Sequence, residues 1–242
     1  SDGVIYIGKP SRGIVALSAK DGKKIWEHNT EGVAARRGMI IHKEEKSKIY
    51  FCDQVNLIAI YASNGEYVSE FGKNGKIKLN EYCQITPVIF KDKIVIATFE
   101  PSIEVYDRIK GKLLWRFYLK EKNNKYFRYG GKRYDYSGGN PWGGISADLD
   151  REIVFVSTGN AGFFTDGTTR PGKNKYSNSV VAIDIKNKKL LWDFQEIEHD
   201  IWDFDIAAPP ILTSINLKNK KIDIVVAVTK TGDTLILDRF TG

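Results

Sequence analysis

Four short stretches of this 242-residue chain carry groups that could act together. In Glu198-His199-Asp200-Ile201-Trp202-Asp203-Phe204-Asp205, ionisable side chains alternate with aromatics. Carboxylates among Trp and Phe lose solvation, which raises their pKa and suits them to general-base work. Thr229-Lys230-Thr231-Gly232 follows the apolar run Ile224–Val228, and a Lys at a strand mouth can pair with an anion. Ser157-Thr158-Gly159-Asn160 ends another apolar run; its Asn can offer an amide oxygen to a hard cation or its NH2 to a ligand. In Gly138-Gly139-Asn140-Pro141-Trp142-Gly143-Gly144, glycines leave both faces of the indole uncrowded, so the ring can serve as a platform for a planar ligand. Taken singly, each has a blander reading: a turn Asn, a solvated Lys, an acidic surface loop, a core Trp. Their force is joint.

The elements that must position them repeat. Ala16-Leu17-Ser18-Ala19-Lys20-Asp21-Gly22-Lys23-Lys24-Ile25-Trp26 is the first copy of a strand, a polar turn and a bulky residue in the next strand. The pattern returns from Ala59 to Ser69, worn, and clearly from Val105 to Trp115 and from Ala182 to Trp192; a further copy begins at Ile236. The register residues are Ser18, Tyr61, Asp107, Asp184 and Asp238, a period of roughly 40–50 residues with a longer third interval. Four short strands per unit make a propeller blade. The Asp side chain caps turn N–H groups, Gly takes positive φ, and Trp fills space between neighbouring sheets. Runs such as Val4–Ile7, Lys93–Ala97, Glu152–Val156 and Asp223–Ala227 read as buried strands. The fold expected is all-β, a β-propeller of four-stranded blades with about four to five blades present. Residues 1–242 form part of one propeller domain, with an inserted loop region at about 120–178.

Composition bounds the function. The balance of 37 basic to 30 acidic residues gives +7, but the lysines are spread through turns, which argues a solvated basic surface and against nucleic-acid binding. No apolar stretch reaches the ~18 residues of a membrane span. The two cysteines, Cys52 and Cys83, make no framework; each reads as a small buried residue, with a bridge between them the alternative. Without an initiating Met or leader in view, and with its last repeat just begun, the chain reads as a piece of a longer protein.

The four stretches, taken in chain order, resemble the quinoprotein dehydrogenases, propellers that carry pyrroloquinoline quinone and Ca²⁺. Gly139–Gly143 through Val156–Asn160 is similar to the family's Trp-Gly and Thr/Ser-Gly-Asn block. His199 to Pro210 resembles its His-Asp-Leu-Trp-Asp-Tyr-Asp segment, and Thr229–Gly232 through Leu237-Asp238-Arg239 its Lys-Thr-Gly and Leu-Asp-Arg segment. Arg170–Asn174 and Tyr176–Ser179 fall between them as in relatives, and Glu70–Gly75 resembles a turn of the membrane-bound glucose dehydrogenase type. The resemblance implies an eight-bladed propeller of which this chain supplies about half, and a dehydrogenase of alcohols or aldose sugars. It implies Asp203 as catalytic base and metal-site residue, and Lys230 as the cation on the quinone oxygens. It implies Trp142 beneath the cofactor, Arg37 on a cofactor carboxylate, and Asn160 as Ca²⁺ ligand, with Glu100 the acid nearest the second ligand position. Val33 and Gln84 depart from the pattern, and the loop near Glu100 is shortened. A periplasmic location, anchored to the inner membrane through a segment beyond this chain, goes with the family, as does a quinone or cytochrome electron acceptor. The isolated piece is expected to be inactive and to need self-association or the missing propeller half. The competing reading is a non-catalytic scaffold related to outer-membrane assembly lipoproteins; such a scaffold has no reason to keep Trp142, Asn160, Asp203 and Lys230.

Overall fold

The computed structural model describes residues 2–122, 125–135, 138–162 and 165–242. They contain strands and no helix. The strands form antiparallel sheets whose order follows the sequence. The first holds β1 (Val4–Gly8), β2 (Ile14–Ser18) and β3 (Lys24–His28); the second β4 (Ile40–His42), β5 (Lys48–Cys52), β6 (Gln54–Tyr61) and β7 (Lys76–Cys83). The third holds β8 (Val88–Phe90), β9 (Lys93–Thr98), β10 (Ser102–Asp107) and β11 (Leu113–Tyr118). A separate hairpin, β12 (Tyr126–Tyr129) with β13 (Lys132–Asp135), precedes the fourth sheet of β14 (Ile145–Asp148), β15 (Ile153–Ser157), β16 (Ser179–Asp184) and β17 (Lys189–Gln195). The last sheet holds β18 (Ile211–Leu217), β19 (Lys220–Val228) and β20 (Thr234–Asp238). Apart from the hairpin, each sheet is a propeller blade. The chain divides into two compact units, Ser1–Thr98 with Glu104–Trp115, and Phe99–Ile103 with Arg116–Gly242.

Every register residue read from the repeat ends the third strand of a blade, or the equivalent strand where only three are present: Ser18, Tyr61, Asp107, Asp184 and Asp238. The turn chemistry follows. Asp107 Oδ1 accepts the N–H groups of Ile109 and Lys110 at 3.0 and 2.6 Å, and Asp238 Oδ1 those of Phe240 and Thr241, both at 2.9 Å. Gly22, Gly65, Gly111 and Gly242 close these turns at φ of 69 to 74°, conformations that cost an L side chain energy. Gly65 has a second reason. A Cβ there would stand 2.6 Å from the Trp26 ring, and one on Gly242 would stand 2.8 Å from Trp192. The indoles lie over the next blade's turn and donate to Ala62 and Arg239 carbonyls, each at 3.1 Å.

The worn second copy is where the sequence reading slips. Its outer strand begins at Lys76, not beside Tyr67, which makes only an isolated bridge with Ile60. No Trp stands in β7, and the space over Gly111 is taken by Ile77, 2.8 Å from where a Cβ would sit. The cysteines also differ from the simpler expectation. Cys52 and Cys83 are bonded, with Cα atoms 5.8 Å apart, tying the end of β5 to the end of β7. The core of the first unit is built on Ile14, Ile49, Phe51, Ile58 and Ile60, and that of the second on Phe155, Val180, Trp192, Ile206 and Val225. Each such side chain contributes on the order of 1.5–3 kcal/mol by leaving water.

Candidate functional site

Strand register decides which loops meet. In the fourth blade Ile145 pairs with Val156, Ser157 with Val180 and Ser179 with Gln195. The start of β14, the end of β15, the start of β16 and the end of β17 therefore share one edge of the sheet. The segments leaving that edge are the approach through Trp142, the loop from Thr158 to Asn178, and the connection from Glu196 to Pro210. In the last blade Ile211 pairs with Val226 and Val228 with Thr234, so the turn bearing Lys230 lies at the edge where β18 begins.

These segments converge on Asp205. Its carboxylate is buried, at 7% exposure, and accepts from Trp142 Nε1 at 3.1 Å, from the backbone N–H of Asn160, and from Lys230 Nζ at 3.3 Å. Burial pushes its pKa up and the nearby charge of Asp203 adds to that, while the Asn160 N–H and Lys230 oppose it. Asp203 is more open, with 44% of its side chain exposed. Its Oδ2 lies 3.3 Å from Lys230 Nζ and its carbonyl accepts from the same ammonium at 2.8 Å. Burial works against the charge on Lys230, but the carboxylates of Asp205 and Asp203 outweigh it and hold its pKa above the ordinary lysine value. The ammonium also stands 6.0 Å from the centroid of the Trp142 ring.

Glycines make the approach possible. A Cβ on Gly159 would come within 2.8 Å of both Asp205 Oδ1 and Trp142 Nε1, and one on Gly139 within 2.1 Å of the Gly159 carbonyl. Asn160 is buried, with Nδ2 donating to the Asp200 carbonyl at 3.1 Å and Oδ1 accepting from Ala161 N at 2.7 Å. Trp142, Asn160, Asp203 and Lys230 thus gather around Asp205, a carboxylate of the same acidic stretch that the family resemblance leaves without a role of its own. Carboxylates two positions apart point the same way in an extended segment, so spacing alone does not choose between Asp203 and Asp205. The buried Arg170 and Asn178 lie in stretches that match the family's order, but in a polar insertion residue type alone does not show which side chains go inside.

The other two candidates sit elsewhere in the chain. Arg37 belongs to the first unit, in the connection between β3 and β4. Its carbonyl accepts from Thr86 Oγ1 at 2.8 Å, and its neighbour Gly38 has φ 127° with Thr86 Oγ1 2.3 Å from where a Cβ would stand. Glu100 belongs to the second unit and accepts from Lys120 Nζ at 3.0 Å.

Oxygen donors and an ammonium beside a flat indole are groups that suit a quinone and a hard cation. Asn160 Oδ1 and the Asp203 carboxylate are such donors. No group of three or more His, Cys, Asp or Glu placed to hold a metal occurs among the described residues. Ca²⁺ takes about 6–8 oxygens, so a cation here would need oxygens from a bound cofactor as well.

The family described as glucose/ethanol/alcohol dehydrogenase, β-propeller domain (PQQ) matches residues 1–242. Quinoprotein glucose dehydrogenase A of Acinetobacter calcoaceticus is 31% identical over 77% of this chain and 26% of its own length. Quinoprotein glucose dehydrogenase of Escherichia coli is 26% identical over 98% of this chain and 35% of its own. The crystal structure of quinohemoprotein alcohol dehydrogenase from Comamonas testosteroni superposes with a TM-score of 0.80 at 24% identity, covering 100% of this chain and 40% of that one. The likeness to that structure speaks for the fold. This chain spans about a third of the curated relatives it matches.

Proposed function

The chain belongs to the PQQ glucose/ethanol/alcohol dehydrogenase β-propeller family, and on that premise we propose that the protein containing it oxidises an alcohol or an aldose with pyrroloquinoline quinone and Ca²⁺. The single observation that carries the reading is Lys230 Nζ held 3.3 Å from both Asp203 and Asp205, with the Trp142 N–H donated to the second carboxylate. When bound, the quinone supplies the two-electron acceptor and the cation polarises its carbonyl. The chain's own residues supply aim and proton handling. Asp203, the more open carboxylate, takes the substrate hydroxyl proton on its Oδ. Lys230 donates from a protonated Nζ to developing negative charge, and the two aspartates keep it protonated. Trp142, its edge pinned by Asp205, presents its ring to a planar ligand. Asn160 and Asp203 would hold the cation through oxygen.

The electron acceptor would be a membrane quinone or a cytochrome. A periplasmic location is part of the proposal and is supported by the Cys52–Cys83 disulfide, which suits an oxidising compartment.

The test uses the full-length protein. Adding pyrroloquinoline quinone with Ca²⁺ should quench Trp fluorescence and produce a bound chromophore, and dye-linked oxidation of a panel of alcohols and aldoses should follow. Saturating cofactor and cation that change neither optical signal would overturn the reading.

A further inference from the structure

The connection from Glu196 to Pro210 carries Asp203 and Asp205 yet contains no strand or helix. Something other than a ladder of backbone hydrogen bonds must fix it. Asp200, which is 2% exposed, ties it down through both its carboxylate and its carbonyl. Its Oδ1 accepts the N–H of Trp202 at 2.8 Å, and its Oδ2 accepts the N–H of Phe204 at 2.7 Å and Nδ2 of Asn178 at 2.8 Å. Its carbonyl accepts Nδ2 of Asn160 at 3.1 Å and Nη2 of the fully buried Arg170, whose Nη1 reaches Asn174 Oδ1 at 2.6 Å.

Two consequences follow from these bonds. The carboxylate draws the N–H groups at i+2 and i+4 inward, so the chain must turn sharply between them. Asp203 lies inside that turn with φ 62°, in the left-handed region that L residues rarely enter, and there its side chain meets Lys230. The Asp200 carbonyl also fixes which way the Asn160 amide points. A reversed amide would set its oxygen against a carbonyl oxygen, so Nδ2 stays on Asp200 and Oδ1 stays at the other end.

We propose that Asp200 is the positioning residue of this site, setting the direction of both the Asn160 amide oxygen and the Asp203 carboxylate. The inference rests on the functional reading above, and names a residue that orients the cation's oxygen donors without being one. Groups one step removed from a metal's ligands typically change affinity or activity by about 10–100-fold when altered.

In the full-length protein, Asp200→Asn replaces one acceptor oxygen with an NH2 that faces N–H donors. With excess pyrroloquinoline quinone present, Ca²⁺ titration of the Trp quench should show affinity about 10–100-fold weaker than the parent. The melting temperature of the cofactor-free protein is measured beside it. If Asp200→Asn does not accumulate folded, Asn178→Ala, which removes only one of the carboxylate's three donors, should show the same loss in smaller measure. Parent-like Ca²⁺ affinity in the folded variant overturns the proposal. So does a loss of affinity that disappears when the titration is repeated well below the variant's melting temperature, because that marks a purely structural role. A parent protein that gives no quench at all sinks the functional reading, and this inference with it; the two failures are therefore distinguishable.

Discussion

At the scale of single residues, two aspartates two positions apart have been given different environments. Asp205 is enclosed and holds three donors; Asp203 is open and shares Lys230. An enclosed carboxylate that already holds three donors is poorly placed to take a proton from an incoming hydroxyl, whereas an open one is well placed. Asp203→Asn should therefore retain the cofactor and lose turnover by about 10²–10⁴-fold, the usual span for a positioned base. Asp205→Asn should do much less to turnover. Its amide can no longer accept from both Trp142 and Asn160, so it should loosen cofactor binding and destabilise the fold by about 1–3 kcal/mol. Steady-state kinetics with quench titrations on both variants check this, and equal turnover in Asp203→Asn and the parent would sink the assignment. Much of this site was legible because Trp142, Asn160, Asp203 and Lys230 sit in stretches with a recognisable order. Asp205, Gly159 and Asp200 stand in the same stretches, but their individual work was not legible, because it is done by contacts with residues distant in sequence or by backbone bonds that leave no trace in residue type.

At the scale of elements, the repeat predicted strand ends, turn caps and positive-φ turn glycines; that Gly65 and Gly242 also make room for the Trp26 and Trp192 rings was not legible in it. It misplaced β7 because that blade replaces Trp with Ile77, and propensity alone cannot mark a late start. It also passed over His28, the last residue of β3. The ring is buried; Nδ1–H donates to the Gly65 carbonyl at 2.8 Å, and Nε2 has no hydrogen-bond partner. Tyr67 stands edge-on with centroids 4.6 Å apart, and Phe51 at 6.3 Å. Burial lowers the pKa of His28, against the opposing pull of the Gly65 carbonyl and Asp53. The unfolded chain takes up a proton near pH 6.5 that the folded chain resists. The folded state therefore holds its full stability above about pH 6.5 and loses it progressively as pH falls toward the depressed folded value. Urea midpoints should drop between pH 7 and 5.5 in the parent, and His28→Gln should flatten part of that slope. Identical slopes in the two proteins would show that His28 does not contribute.

At the scale of the whole molecule, some of the exposed aliphatics line up on the first and last blades. The first and last blades have three strands each where the middle ones have four. On β1, Ile5 and Ile7 alternate outward at 48% and 44% exposure, while Tyr6 between them packs toward Trp26. On the last blade Ile211 and Ile236 are 59% and 60% exposed, and Leu217 on the same strand as Ile211 is 51% exposed. Isolated surface apolar residues are ordinary, but rows of them at strand period form faces that favour another apolar surface over water. At about 25 cal/mol per Å² of apolar area removed from water, even partial covering of such faces favours association. The 242-residue chain by itself should therefore self-associate, and sedimentation velocity should show its weight-average coefficient rising with concentration. Ile211→Thr with Ile236→Thr, which keep β-branching while adding a hydroxyl, should shift that rise to higher concentration. A parent chain that sediments as one compact monomer across the whole concentration range would mean that these faces are satisfied by water alone, and the association argument would fall.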